Sequence, residues 1–458
     1  MYMTYNWVIG FFKILNLLAL GSEVLTTHKQ ERKRLGRQVV VVEGVRTPFQ
    51  ISRTGYKNLQ AHDLARMAIS SLLKKTQVDK DLLSQVIIGT TIQEINASNV
   101  AREAALRANL PETVHAHTVT SACISSLSAI DAAVNAIALG KADAIIAGGC
   151  ETFSDVPIRL SRSLRAKLIE LCKMKGVVNW LSWLCSLEST DFKLDIPAVK
   201  EFSTGELLGE SAERLCIAFN ITRQESDAYA LRSHKLALDA SASGKLLDRT
   251  PVRVPGAVNF VSEDNGIRVS NPEKLAAHKP CFLRPHGSVT PGNSSFFTDG
   301  AAAALLMAEE TALTLGYKPK AYIRELVFVS QDPVDQLLLG PAYAIPKALS
   351  LAGLELSDID VIELHEAFAG QVLACLRALD SEIFCQRHLR RNRLGEIPME
   401  KLNLLGGSLS IGHPFGATGV RLLTTVANRL LTEDGRLGLL SVCAAGGQGC
   451  CAILERSS

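Results

Sequence analysis

The chain has 458 residues, of which 47% are hydrophobic, 21% charged and 5% aromatic, the profile of an ordinary globular α/β enzyme long enough for two or three domains. A net charge of +3, with no basic run interleaved with aromatics, speaks against a nucleic-acid binder. Eleven irregularly spaced cysteines, with no C-x-x-C pair and no zinc spacing, speak against a secreted disulfide scaffold or a metal site and suggest reduced thiols inside a cell.

The first feature in chain order is an apolar run, Trp7 to Leu20, broken by Lys13 and Asn16 and followed by a basic stretch, Lys29 to Arg37. It is too short to span a bilayer comfortably. Residues 1–37 read as a leader, and two alternatives stay open: a signal-type or targeting segment, or a disordered or alternatively started beginning. Mitochondrial presequences are usually Arg-rich, and no Arg precedes Arg32. The final Arg-Ser-Ser is not the Ser-Lys-Leu peroxisomal address.

From Gln38 the pattern changes. The β-branched run Val39 to Val42, closed by Gly44 and Pro48, predicts a buried strand. Helical spacing follows over Ala61 to Lys75, then a strand over Val86 to Ile88, an Ala-rich helix over Ile124 to Leu139, and a strand over Ala142 to Ala147 that runs into Gly148-Gly149. Such alternation implies parallel β pairing covered by helices. Between roughly Val156 and Pro285 the alternation is lost. Arg159 to Leu184 carries six basic residues and one acid, Glu170, with Leu160, Leu164, Leu168 and Leu171 at helical spacing and Trp180 and Trp183 beyond them. A basic amphipathic helix with indoles suits a membrane interface; a helix packed on its own protein or on a partner subunit is the other reading. The last third looks like a loose second copy of the first: a strand over Ile359 to Leu364, a helix over Gly416 to Leu431, and a strand over Leu437 to Val442 ending near Gly446-Gly447. A weak duplication of one α/β unit explains this; two unrelated doubly wound domains are the alternative.

Four stretches carry possible chemistry. Cys123 lies among small residues, Thr118-Val-Thr-Ser-Ala-Cys123-Ile-Ser-Ser126, at an expected helix start. The helix dipole and free N–H groups there are expected to lower its pKa and favour a thiolate nucleophile. A small buried cysteine is otherwise inert core. His413 stands in the glycine-rich Gly406 to Gly419, which lacks both the Walker ending and the dinucleotide-binding glycine spacing. A histidine there can take a proton from a thiol. Cys443 follows a buried strand in Cys-Ala-Ala-Gly-Gly-Gln-Gly449, at the sheet edge where active sites form in open α/β folds. His365-Glu366-Ala367-Phe368 also follows a strand; position 369 is alanine, so the zinc-protease pattern is absent.

In this order the four stretches resemble the thiolase family, as do Val42 to Pro48 and Gly287 to Ser295 with Asp299 to Ala303. The resemblance covers about residues 38–458. Glu94 to Leu106, Ser330 to Pro333, Gln336 to Pro341, histidine at 365 where most thiolases carry asparagine, and the basic insertion after Pro157 are similar to one branch, the β subunit of mitochondrial trifunctional proteins. The resemblance implies an α/β thiolase fold: two similar βαβαβαββ halves in a five-layered αβαβα arrangement plus a loop domain. The expected division is 38–155 with 286–312 for the N-terminal half, 156–285 for the loop domain and 313–458 for the C-terminal half. It implies 3-ketoacyl-CoA thiolase activity in fatty-acid β-oxidation, cleaving long-chain 3-ketoacyl-CoA with CoA. Cys123 would be the acylated nucleophile, His413 its base, Cys443 the acid/base, and His365 a contact to the thioester oxygen, directly or through a water. The N–H groups of Cys123 and Ala445 would form an oxyanion site, and Ser294, Ser295 and Phe368 would line the CoA tunnel. CoA is a substrate, and no metal or other cofactor is expected.

The implied partners are an α subunit with hydratase and dehydrogenase activities, a second copy of the chain in a β–β homodimer core, and the matrix side of the inner mitochondrial membrane, touched through Arg159 to Leu184. The expected location is mitochondrial. A biosynthetic acetoacetyl-CoA thiolase and a non-catalytic thiolase-like lipid carrier remain as alternatives. The residues departing from the family pattern are Ala444 and Ala445 in place of glycines, Pro291 in place of alanine, and Cys450-Cys451, expected to be small packing residues.

Overall fold

A computed structural model describes residues 36–196, 200–268 and 271–457. The expected leader falls outside them up to residue 35. Strand β1 (Val39–Arg46) is buried along nearly its whole length, as expected of a strand covered on both faces. It is followed by α1 (Ala61–Thr76), β2 (Leu83–Gly89), α2 (Val100–Arg107), β3 (His115–Val119), α3 (Ser125–Ala138) and β4 (Ala144–Glu151). The intervening region contributes α4 (Arg162–Leu171), α5 (Val177–Cys185), α6 (Leu208–Ala218) and α7 (Arg223–Ala242) before β5 (Thr298–Ala308) returns to the sheet. The last third contains β6 (Ala321–Ser330), α8 (Gly340–Ala352), β7 (Val361–Leu364), α9 (Ala369–Asp380), α10 (Thr418–Thr432), β8 (Leu437–Ala444) and β9 (Gln448–Arg456).

The strands run in the order β7-β8-β9-β6-β1-β5-β4-β2-β3, and the duplication is visible in their pairing. In the N-terminal half β2 and β4 are parallel, while β5 is antiparallel to both β4 and β1. In the C-terminal half β7 and β8 are parallel, while β9 is antiparallel to both β8 and β6. The halves meet at a narrow seam, where Val40 and Val41 of β1 pair with Tyr322 and Ala321 of β6.

Three apolar clusters define five layers. The central one places Leu127 and Ile130 of α3 with Val420 and Leu423 of α10 between strands of both halves. The outer faces are covered by α1 and α2 on the N-terminal half and by α8 and α9 on the other. Residues alternate between layers with the strand period of two: Val39 and Val41 face the central cluster, and Val40 and Val42 the outer one. Cys450 and Cys451 do the same in β9 and are wholly buried, which fits the packing role expected of them.

The single basic helix expected over Arg159 to Leu184 is two helices. The chain breaks between α4 and α5, where Gly176 takes a φ of 91° that other residues adopt only with strain. Of the leucine stripe only Leu164 is buried. Lys167 ties the hairpin down by donating to Asp191 at 2.6 Å, and the Trp183 indole donates to the Lys167 carbonyl at 2.8 Å. Among the described residues no helix is long and apolar enough to cross a membrane.

Candidate active site

After β3 the chain turns sharply to begin α3, and Ala122 has a φ of 48°, the left-handed region that costs a non-glycine residue roughly 1–2 kcal/mol. The Ser125 hydroxyl and the Thr91 hydroxyl donate to the Ala122 carbonyl at 2.6 and 3.0 Å and hold the turn. Cys123 is thereby presented ahead of the helix, 6% exposed. The N–H groups of Ala445 and of Cys123 itself point at its sulfur and favour the thiolate. Burial and the nearby charge of Glu151 outweigh them and push the thiol up to about 12. The expectation of a lowered pKa is therefore corrected. The helix start is real, but desolvation disfavours the anion more than the local N–H groups favour it.

His413 follows Gly412, whose φ is 110° and whose missing Cβ would meet Thr298 at 2.5 Å. Its Nε2 lies 3.3 Å from the Cys123 sulfur. Its Nδ1 lies 2.7 Å from the Thr418 hydroxyl, which itself donates to the Pro414 carbonyl at 3.0 Å. The hydroxyl proton being committed, Nδ1 must donate, and Nε2 is left with a lone pair facing the thiol. Burial, His365 and Arg421 hold the ring well below the usual histidine range, as a neutral base.

Cys443 is the penultimate residue of β8 and is buried. Burial, with Cys375 and Cys123 beside it, pushes its thiol well above the usual range. The following Gly446 and Gly447 have φ values of 82° and 64° and make the turn into β9. His365 is wholly buried, and its ring centroid lies 4.1 Å from that of His413. Its Nδ1 is 3.0 Å from the Ser408 hydroxyl, and its Nε2 has no partner among the described residues. Burial and the Arg421 charge push it down to about 3, so it is neutral.

Cys123, His413 and Cys443 open onto one mostly apolar cavity of about 320 Å³, also lined by Ala445, Ser294, Ser295 and Phe368. Ser294 forms a β-bridge with Phe368, and the Ser295 N–H donates to the Ala367 carbonyl at 2.9 Å. Pro291, Phe282 and Phe297 line the cavity as well. His365 is not among the lining residues; it stands behind His413. Among the described residues no cluster of three or more His, Cys, Asp or Glu is arranged to hold a metal ion.

Two carboxylates shape this site: Glu151, absent from the sequence reading, and Glu366, named there within its motif but given no role. Glu151, at the end of β4, accepts from the N–H groups of Thr91, Ile92 and Gly416 at 3.0, 3.0 and 3.1 Å. It thus ties the N-terminal half to the loop carrying His413, although burial pushes its own carboxyl up to about 7. Glu366 accepts from Ser233 at 2.7 Å and Tyr229 at 3.1 Å, both on α7, and from Asn403 at 2.8 Å. Their partners come from segments far apart in sequence. The only signal was a carboxylate inside an otherwise apolar strand end.

The residues 39–310 match the thiolase N-terminal domain model and residues 317–456 the thiolase C-terminal domain model. The mitochondrial trifunctional enzyme subunit beta of Bos taurus is 54% identical over 420 residues, covering 92% of this chain and 88% of that protein. A probable 3-ketoacyl-CoA thiolase of Caenorhabditis elegans is 52% identical, covering 91% of this chain and 94% of its own. The crystal structure of human mitochondrial 3-ketoacyl-CoA thiolase superposes with a TM-score of 0.79 at 27% identity, covering 93% of this chain and all 100% of that one. The Bacillus anthracis acetyl-CoA acetyltransferase superposes equally well, at 0.79 and 32% identity, over 93% of this chain and 100% of its own. The chain belongs to the thiolase family.

Proposed function

We propose that the protein is a long-chain 3-ketoacyl-CoA thiolase of fatty-acid β-oxidation, working through an acyl intermediate on Cys123. The observation that carries this reading is the 3.3 Å approach of His413 Nε2 to the Cys123 sulfur, with Cys443 opening onto the same cavity. The Cys123 thiol attacks the 3-keto carbon as His413 takes its proton. With the thiol held so high and the imidazole so low, proton transfer accompanies C–S bond formation instead of preceding it. The bond between carbons 2 and 3 then breaks, and the acetyl-CoA enolate takes the proton of Cys443, a thiol that burial keeps protonated at rest. The Cys443 thiolate removes the proton of the incoming CoA thiol, which attacks the acyl-Cys123 thioester. His413 returns its proton to the departing Cys123 sulfur. Each placed proton transfer is worth typically ~10²–10⁴-fold. The Cys123 and Ala445 N–H groups receive the oxyanion on the keto carbon, and His365, set behind the cavity wall, reaches the oxygen of the enolate through a bridging water. Ser294, Ser295 and Phe368 bind the CoA arm.

The same residues run the condensation in reverse, and the acetyl-CoA acetyltransferase shares the fold. The degradative direction is supported by relatives above 50% identity that bear trifunctional enzyme or 3-ketoacyl-CoA thiolase names. The proposal extends to two thiolase halves and a loop domain, a mitochondrial location, a homodimer core, an α subunit with hydratase and dehydrogenase activities, and contact of α4 and α5 with the inner membrane. Support for that contact comes from Val177, Val178, Trp180, Leu181 and Leu184, all more than half exposed next to a basic helix. The test is thiolysis of 3-ketoacyl-CoA of increasing chain length by the purified chain, with and without such a partner. Rates should rise toward long chains; activity confined to acetoacetyl-CoA overturns the reading.

A further inference from the structure

We infer that Ser408 and Arg421 are positioning residues that hold His365 with its proton on Nε2, the opposite tautomer to that of His413. The inference deepens the proposed thiolase reading and rests on it for its kinetic consequence. Arg421 lies on α10, 1% exposed, and its Nη2 donates to the Ser408 hydroxyl oxygen at 3.2 Å. A guanidinium has only donors to offer, so Ser408 is the acceptor in that bond. The Ser408 hydroxyl proton is then free for one partner, and the acceptor within reach is His365 Nδ1 at 3.0 Å. Nδ1 therefore carries the lone pair and Nε2 the proton. That Nε2 is buried and without a partner among the described residues, as a donor waiting for a water that bridges it to a substrate oxygen would be.

The arrangement separates the duties of two touching imidazoles. Thr418 accepts a hydrogen bond from Nδ1–H of His413, which leaves the Nε2 lone pair for the Cys123 thiol. Ser408 donates a hydrogen bond to Nδ1 of His365 and leaves the Nε2–H free to donate toward an oxyanion. A flipped His365 tautomer would direct a lone pair at the developing negative charge and repel it. The Glu363 carboxylate, 3.7 Å from the Arg421 Nη1, offsets the buried guanidinium charge without a hydrogen bond between those atoms. The Arg421 charge also disfavours protonation of both rings, which keeps the tautomer choice meaningful.

The test is a long-range ¹H–¹⁵N correlation spectrum of the full chain labelled at its histidine ring nitrogens, with resonances assigned through His365→Asn and His413→Asn. The expected spectrum shows His365 protonated on Nε2 and His413 on Nδ1. In Ser408→Ala the His365 signal shifts toward the Nδ1–H form. Alongside, kcat of Ser408→Ala falls about 10- to 100-fold with KM for CoA within about twofold, less than the ~10²–10³-fold loss on deleting an oxyanion donor, and Ser408→Thr recovers most of it. A wild-type His365 protonated on Nδ1 overturns the inference without need of any variant. So does a folded Ser408→Ala with unchanged spectrum and kcat. Retained thiolysis in Cys123→Ser would instead remove the functional reading and leave the tautomer assignment, which the spectrum reads without turnover.

Discussion

At Cys123 two influences oppose each other: the N–H groups of Cys123 and Ala445 favour the anion, while burial and Glu151 favour the neutral thiol at about 12. For an acid with a raised pKa, the reactive anion is scarce at neutral pH and grows about tenfold per pH unit toward that pKa. Iodoacetamide inactivation should therefore accelerate steadily between about pH 6 and pH 10; a plateau below pH 8 would mean a resting thiolate–imidazolium pair. Thr418→Val keeps the shape but leaves the His413 Nδ1 proton unaccepted, so kcat should fall on the order of 10- to 100-fold with KM little changed; an unchanged kcat would show that the hydroxyl does not set the tautomer. The reactive residues were legible because each stands in a short run of small residues and glycines that mark where backbone crowds a ligand. Their helpers were not. Ser408 and Thr418 gain meaning only from the direction of a hydroxyl proton, and Glu151 only from donors contributed by two other loops.

Among the elements, those with a clear period were read well: β1 from its valines, and α3 and α10 from helical spacing ending near glycine. Strand β5 was not read as a strand. Its run Asp-Gly-Ala-Ala-Ala-Ala-Leu-Leu-Met-Ala has the composition of a helix, and only pairing with β1 and β4 on both sides makes it extended. The basic insertion was read as a basic amphipathic helix with tryptophans, but its leucine stripe ends at Leu171 and the chain breaks at Gly176 before the indoles. Its exposed face makes a prediction: Trp180→Ser with Leu181→Ser and Leu184→Ser should weaken binding to cardiolipin-containing vesicles several-fold and leave soluble thiolysis unchanged. Vesicle binding equal to that of the parent would return α5 to packing against a partner subunit.

For the molecule as a whole, duplication places Cys123 on one half and His413 and Cys443 on the other, so activity depends on how closely the halves approach. That distance is set by glycines. A Cβ on Gly149 would lie 1.8 Å from the Gly416 carbonyl oxygen, and one on Gly416 would lie 2.4 Å from that of Cys150. Gly149→Ala should displace the His413 loop, destabilise the fold by about 1–3 kcal/mol and lower kcat on the order of 10²-fold. Activity within twofold of the parent, measured together with thermal unfolding, would show that the loops are not so constrained. The Gly-Gly ending of β4 was visible in the sequence. Its purpose was not, because the atom it avoids is more than two hundred residues away.

The most direct test of an acyl-Cys123 mechanism is to mix the purified chain with 3-ketohexadecanoyl-CoA without added CoA, quench with acid, and map the protein by mass spectrometry. The account predicts a tetradecanoyl group on the peptide containing Cys123, one equivalent of acetyl-CoA released, and neither in Cys123→Ser. An acyl group on another residue, or steady thiolysis by Cys123→Ser, would contradict it.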